Sequence, residues 1–185
     1  MLNKEKLLGG VYGLAVGDAL GVPVEFIQRK ELDQSPVIGM EAGGTHRQKK
    51  GTWSDDTSMV LATLDAMSAG GLSFGMVMDN FAKWYTKANY TAAGVVFDVG
   101  GTTGAAIQNY LRGEPLENCG AADERSNGNG SLMRMLPMIN LHPNSSHSLS
   151  TFHPTSPNPK EIFPFLRRYK TSLASKSFPS FTSFL

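Results

Sequence analysis

Gly51-Thr52-Trp53-Ser54-Asp55-Asp56-Thr57-Ser58-Met59-Val60-Leu61-Ala62-Thr63-Leu64-Asp65-Ala66-Met67 is the stretch on which the fold turns. Met59, Val60, Leu64 and Met67 recur at helical spacing and predict a helix over 55–69, with these residues inward. Ser54 suits the N-cap, and Asp55 and Asp56 suit the first turn, where the helix end carries partial positive charge. Capping alone accounts for these residue types. Metal binding is the sharper reading. Adjacent carboxylates flanked by hydroxyls are hard oxygen donors that suit Mg²⁺ or Mn²⁺ and suit zinc or copper poorly. Consecutive side chains inside a regular helix splay about 100° apart. At a helix start the backbone can turn, so they can converge on one ion.

Working outward, Leu7, Leu8, Val11, Tyr12 and Ala15 predict a helix over roughly 4–16. Gly9, Gly13 and Gly17 would leave one smooth face on it, at a cost of roughly 1 kcal/mol per glycine against alanine. Such a cost points to close approach by another backbone. Residues 32–53, with Pro36, Gly39, Gly43, Gly44 and Gly51, read as loop. After a cap at Ser73, the spacing of Phe74, Val77, Met78, Phe81 and Tyr85 predicts a third helix. A fourth follows Gly100-Gly101-Thr102-Thr103, and a fifth would run from near Ser131 to Pro137. No strand alternation stands out, so the fold class is all-α.

The totals narrow the function. A length of 185 residues suggests one domain, or one domain and a tail. A formal net charge of +1 offers no basic excess for nucleic acid and no charged run for a membrane surface. Cys119 is the single cysteine, so no intramolecular disulfide can form and a cysteine zinc site is disfavoured. Gly9, Gly10, Gly13, Gly17 and Asp18 interrupt the apolar run from Leu7 to Leu20. Neither a signal peptide nor a transmembrane helix is expected, and a cytoplasmic location is the default.

Three further stretches could carry chemistry. In Gly17-Asp18-Ala19-Leu20-Gly21-Val22-Pro23-Val24-Glu25-Phe26, a partly buried carboxylate could act as acid or base. A structural role, capping or bonding backbone, is favoured for Asp18, and both readings stand for Glu25. In Phe97-Asp98-Val99-Gly100-Gly101-Thr102-Thr103-Gly104, Asp98 either caps the coming helix or faces a substrate. In Ser126-Asn127-Gly128-Asn129-Gly130-Ser131, small residues could wrap an anion with backbone N–H groups, and Arg134 could add a charge. On the residues alone, an ordinary Asn-Gly turn with a helix cap is the favoured reading of that stretch. His46 reads as a solvated loop histidine, and Trp53 and Trp84 read as packing residues.

From His142 to Leu185 the chain has no glycine, valine or aspartate, and serine, proline, threonine and phenylalanine dominate. This segment is expected to be poorly ordered. An out-of-frame or fused origin after about residue 141 would explain the change. His142, His147 and His153 fall there and are given no role.

The order and spacing of these stretches resemble the ADP-ribosylglycohydrolase family, which includes the dinitrogenase reductase-activating glycohydrolases. Its G-D-x-x-G-x-x-x-E is Gly17 to Glu25, and its T/S-D-D-T-x-M is Ser54 to Met59. Its bacterial D-[IV]-G-x-T-T is Asp98 to Thr103, and its G-N-G-[SA]-x-M-R is Gly128 to Arg134. The resemblance covers roughly residues 5–141, leaving 1–141 as the amino-terminal portion of such a domain and 142–185 as a tail. It implies an all-α domain with a central cleft and a binuclear Mg²⁺ or Mn²⁺ centre. The reaction it implies is hydrolysis at C1″ of ADP-ribose, carried by a modified protein or a small molecule. Carried over, Ser54, Asp55 and Asp56 are metal ligands, and Glu25 and Asp98 are catalytic. Gly128, Asn129, Gly130 and Ser131 would line the ADP-ribose phosphates. The family's second metal motif, D-x-D-[ST], has no counterpart, because no aspartate follows Asp123. A truncated site with impaired activity is the expectation, and a non-catalytic ADP-ribose binder is the alternative.

Overall fold

The computed structural model describes residues 4–69, 72–123, 126 and 128–139. The expectations for the segment 142–185, and for Asn127, lie outside these residues. The described chain is helical, with a single isolated bridge between Gly43 and Gln48, as the all-α reading expects. Six α-helices follow in order: α1 (Lys4–Gly21), α2 (Arg29–Gln34), α3 (Asp55–Ser68), α4 (Phe74–Lys87), α5 (Gly101–Leu111) and α6 (Leu136–Ile139). Short 3₁₀ turns stand at Val22–Val24, Leu116–Asn118 and Asn129–Ser131.

α3 is the hub. It packs against α1, α4 and α6, and α5 packs in turn on α4. Met59, Val60, Ala62, Thr63 and Ala66 are almost wholly buried, so α3 is apolar nearly all round, as a central helix must be. Its residues meet Val77, Phe81, Ala82 and Trp84 of α4 and Ile107 of α5 in one core. Trp53 and Trp84 are both buried, and the Trp53 Nε1–H donates to the Tyr90 carbonyl at 3.1 Å. Asn80, buried on α4, donates through Nδ2 to the Ala62 carbonyl at 3.1 Å and ties the two helices by a polar link inside the core.

Four expectations need correction. The first helix runs on to Gly21, because Asp18 and Ala19 find tertiary partners that hold the final turns. A Cβ added at Gly9, Gly13 or Gly17 would meet nothing within 4 Å, so the close approach expected on that face is absent among the described residues. The core side of α1 is Leu7, Ala15 and Ala19, and Tyr12 is half exposed. The glycine facing a neighbour is Gly10, where an added Cβ would lie 3.4 Å from the Leu136 side chain. Next, α2 extends into the stretch expected to be loop. Finally, residues 129–139 form a 3₁₀ turn and then α6, not one helix to Pro137. Pro137 sits in the first turn of α6, where its missing N–H costs nothing, but its ring stops any helix arriving from upstream.

The stretch Glu5–Val24 has a mean hydropathy of 1.5 and is long and apolar enough to cross a membrane, against the expectation that its glycines and Asp18 would disqualify it. In this structure 33% of that stretch is buried, one side of it packs on α3, and Asp18 is hydrogen-bonded to the start of that helix.

Candidate active site

The site is built around the start of α3. Ser54 is the N-cap; its Oγ accepts from the Asp56 N–H at 3.3 Å and donates to Asp56 Oδ2 at 3.4 Å. Asp18, from the end of α1, adds a second cap. Its carboxylate accepts from the N–H groups of Ser54 and Thr57, each at 3.0 Å, and from Thr57 Oγ1 at 2.6 Å. Asp18 therefore has the structural role favoured for it, and it fixes the backbone on which Asp55 and Asp56 stand.

Those two carboxylates lie in a strongly acidic place. Burial raises the pKa of Asp55 to about 7, and the nearby charges of Asp98, Asp56 and Asp18 add to the effect. Asp56 is raised as well, by burial first and then by Asp18, with Ser54 opposing. Arg134 is the cation facing Asp55, and burial lowers its own pKa. Its guanidinium lies 5.2 Å from the Phe81 ring centroid and donates to Met59 Sδ at 3.9 Å, so packing holds it as much as charge does. Crowded, half-compensated oxygen donors are the set a hard divalent cation would relieve, so Ser54, Asp55 and Asp56 fit such an ion chemically.

Asp98 joins this cluster to a second one. It does not cap α5, whose N-cap is Gly100 with no side-chain bond. Asp98 instead takes a left-handed backbone, φ 53°, and faces His46, whose Nε2 lies 3.7 Å from its Oδ1. The same Nε2 is 2.8 Å from Glu25 Oε2. Glu25 follows the 3₁₀ turn Val22–Val24, and its carbonyl accepts from Thr45 Oγ1 at 2.9 Å. Burial pushes the Glu25 pKa up, His46 opposes this, and Asp98 adds to it. One ligand atom each from Glu25, His46 and Asp98 lies within 4.8 Å of the others, a spacing that could also hold a metal ion.

His46 is thus not the solvated loop residue expected. Its side chain is only 14% exposed, and its ring lies between Phe26 and Phe97, at centroid distances of 6.0 and 5.2 Å. The sequence carries no local signal for this, because the carboxylates come from distant segments and the turn around His46 is rich in glycine and lysine.

On the other side of Asp55 opens a cavity of about 360 Å³. One wall is the loop Gly128, Asn129, Gly130 and Ser131, and another is the start of α5 from Gly100 to Thr103. Arg134 and Asp55 complete the contact with the acidic cluster. The loop presses on the helix so closely that a Cβ on Gly130 would lie 2.7 Å from Thr103 Oγ1. The N-cap of α5, Gly100, makes no side-chain cap bond, so among the described residues the helix start can present N–H groups to the cavity. The structure thus gathers Glu25, Asp55, Asp56, Asp98 and the 128–131 loop around one region.

A model of the family described as ADP-ribosylglycohydrolase matches residues 2–152 of this sequence. The chain belongs to the ADP-ribosylglycohydrolase family. It is 34% identical over 134 residues to the ADP-ribosylarginine hydrolase Tri1 of Serratia proteamaculans (strain 568), covering 72% of this chain and 36% of that protein. It is 37% identical over 138 residues to the ADP-ribosyl-[dinitrogen reductase] glycohydrolase of Rhodospirillum rubrum, covering 72% of this chain and 43% of that one. A solved structure described as an ADP-ribosylglycohydrolase-related protein complex superposes with a TM-score of 0.59 at 33% identity. That match covers 76% of this chain and 44% of the other. The chain therefore spans less than half the length of these relatives.

Proposed function

We propose that this site binds the ADP-ribose unit of a modified protein or small molecule and belongs to a hydrolase that cleaves the bond at C1″. One observation carries the reading: Asp55 belongs to the acidic cluster and also lines the cavity. A diphosphate held by N–H groups at the start of α5 and along residues 128–131 would extend its ribose toward Asp55, Asp98 and Glu25. The cavity volume falls in the range typical of small-molecule sites, roughly 300–1,000 Å³.

The chemistry follows from the residues. Cleavage at C1″ develops positive charge on the ribose, as glycoside cleavage does, and the carboxylates of Glu25 and Asp98 can stabilise it. Glu25, whose pKa burial pushes up, can hold or release a proton. Ser54, Asp55 and Asp56 would hold Mg²⁺ or Mn²⁺, which when bound supplies orientation of the ribose hydroxyls and activation of water. Relatives named for ADP-ribosylarginine and for dinitrogen reductase support a protein-linked ADP-ribose as substrate.

Ser54, Asp55 and Asp56 are three oxygen ligands from one segment, and this sequence has no aspartate after Asp123 to supply the second metal motif. Mg²⁺ demands near-octahedral coordination, so we expect weak metal binding and little turnover by this chain. Calorimetric titration with ADP-ribose, with and without Mg²⁺, beside release of ADP-ribose from an ADP-ribosylated arginine protein, tests the proposal. Binding with slight Mg²⁺-dependent release supports it. Absence of ADP-ribose binding would overturn the site, and robust release would overturn the expected impairment.

A further inference from the structure

His46 is nearly buried, although its neighbours Thr45 and Arg47 are exposed. Its single Nε2 stands 2.8 Å from Glu25 and 3.7 Å from Asp98, two carboxylates that would otherwise repel each other across the site. Each carboxylate belongs to a loop with a non-glycine residue in the left-handed region, Phe26 at φ 63° and Asp98 at φ 53°. Such backbone is unfavourable for these residues and persists only where surrounding contacts hold it. His46 touches both loops at once, through a hydrogen bond to Glu25, an ion-pair contact with Asp98 and ring contacts to Phe26 and Phe97.

We infer that His46 is a positioning residue that holds Glu25 and Asp98 side by side and fixes both strained loops in the form the substrate meets. The inference borrows the glycohydrolase reading only for its ligand. With its proton on Nε2, His46 donates to Glu25 and lies close enough to Asp98 to attract it, so removing that donor frees both carboxylates together. The ring contacts alone would hold neither the carboxylates nor the loops that carry them.

The test uses the full chain with two variants. His46→Phe keeps a ring between Phe26 and Phe97 and removes the donor; His46→Gln keeps a donor and removes the ring. Backbone amide NMR shifts are read at residues 25–27 and 97–99, and ADP-ribose affinity by calorimetry. His46→Phe is expected to move both sets of amides together and weaken ADP-ribose binding about tenfold, the scale of one lost charge-assisted hydrogen bond. His46→Gln is expected to keep both sets near their original positions and bind within about threefold of the parent. Parent-like behaviour of His46→Phe would overturn the inference, and so would a Gln variant as disrupted as the Phe variant. If the unaltered chain binds no ADP-ribose, the glycohydrolase reading fails and the amide shifts alone decide the role of His46.

Discussion

Asp18 Oδ2 accepts a 2.6 Å hydrogen bond from Thr57 Oγ1, and the same carboxylate takes the N–H groups of Ser54 and Thr57. The end of α1 thus caps the start of α3, the helix at the centre of the core. Replacing Asp18 by alanine strands those N–H donors in a partly buried place. Hydrogen bonds to a charged acceptor contribute about 1.5–3 kcal/mol, so Asp18→Ala should destabilise by about 2–3 kcal/mol. Urea unfolding followed by circular dichroism measures this. A loss under about 0.5 kcal/mol would show the cap to be dispensable.

The second prediction concerns pH and metal. The folded Asp55 pKa is raised from 3.8 to about 7. A folded pKa above the unfolded one means stability is fully present below the unfolded value and is lost as pH rises through the folded value. Metal-free protein should therefore lose stability between about pH 4 and pH 7, and Asp55→Asn should flatten that slope. Mg²⁺ should raise the melting temperature of the parent at pH 7.5 and leave Asp55→Asn unchanged. An equal rise in the two proteins at saturating Mg²⁺ would remove Asp55 from the ligand set.

Gly130 and Thr103 provide a third prediction. A methyl group at 130 would sit 2.7 Å from Thr103 Oγ1, closer than real side chains approach. Gly130→Ala should cost about 1–3 kcal/mol through overpacking and weaken ADP-ribose binding by moving the loop off α5. Thr103→Ala removes the opposing oxygen, so the double variant should recover most of the lost stability. A double-mutant cycle measures the coupling, expected at about 1 kcal/mol or more. Purely additive effects would mean the loop does not rest on Thr103.

The same residues show what could be read from the sequence and what could not. Helices α3 and α4 were legible because apolar spacing, Ser54 and Ser73 are local signals that their own turns satisfy. The small residues of the 128–131 loop alone favoured an ordinary turn, and its proposed phosphate role came from the order of the motifs around it. The end of α1 was not, because its final turns are held by Asp18 reaching α3, a contact outside any local window. The role of His46 was hidden for the same reason: a histidine is defined by what approaches it, and Glu25 and Asp98 arrive from separate loops. The glycines of α1 misled because small residues permit close packing without requiring it; among the described residues, only a Cβ at Gly10 would meet a neighbour, Leu136.

Gly44 carries the last prediction, because it decides where the His46 turn sits. Its φ is +65°, and a Cβ there would lie 2.1 Å from the Pro23 carbonyl oxygen. Both the backbone conformation and the contact thus exclude a side chain, and the obstacle is backbone that cannot rotate away. The turn is otherwise held by paired hydrogen bonds between Gly43 and Gln48, at 2.8 and 3.2 Å. Gly44→Ala should therefore lift this turn from the 3₁₀ segment Val22–Val24 while α3 and α4 stay packed. Hydrogen exchange should accelerate about tenfold or more at the amides of Gly43 and Gln48, with little change in the amides of Met59 to Ala66. If both regions accelerate equally, the turn is part of the global folding unit; if neither does, the close Gly44–Pro23 contact does not hold it in solution.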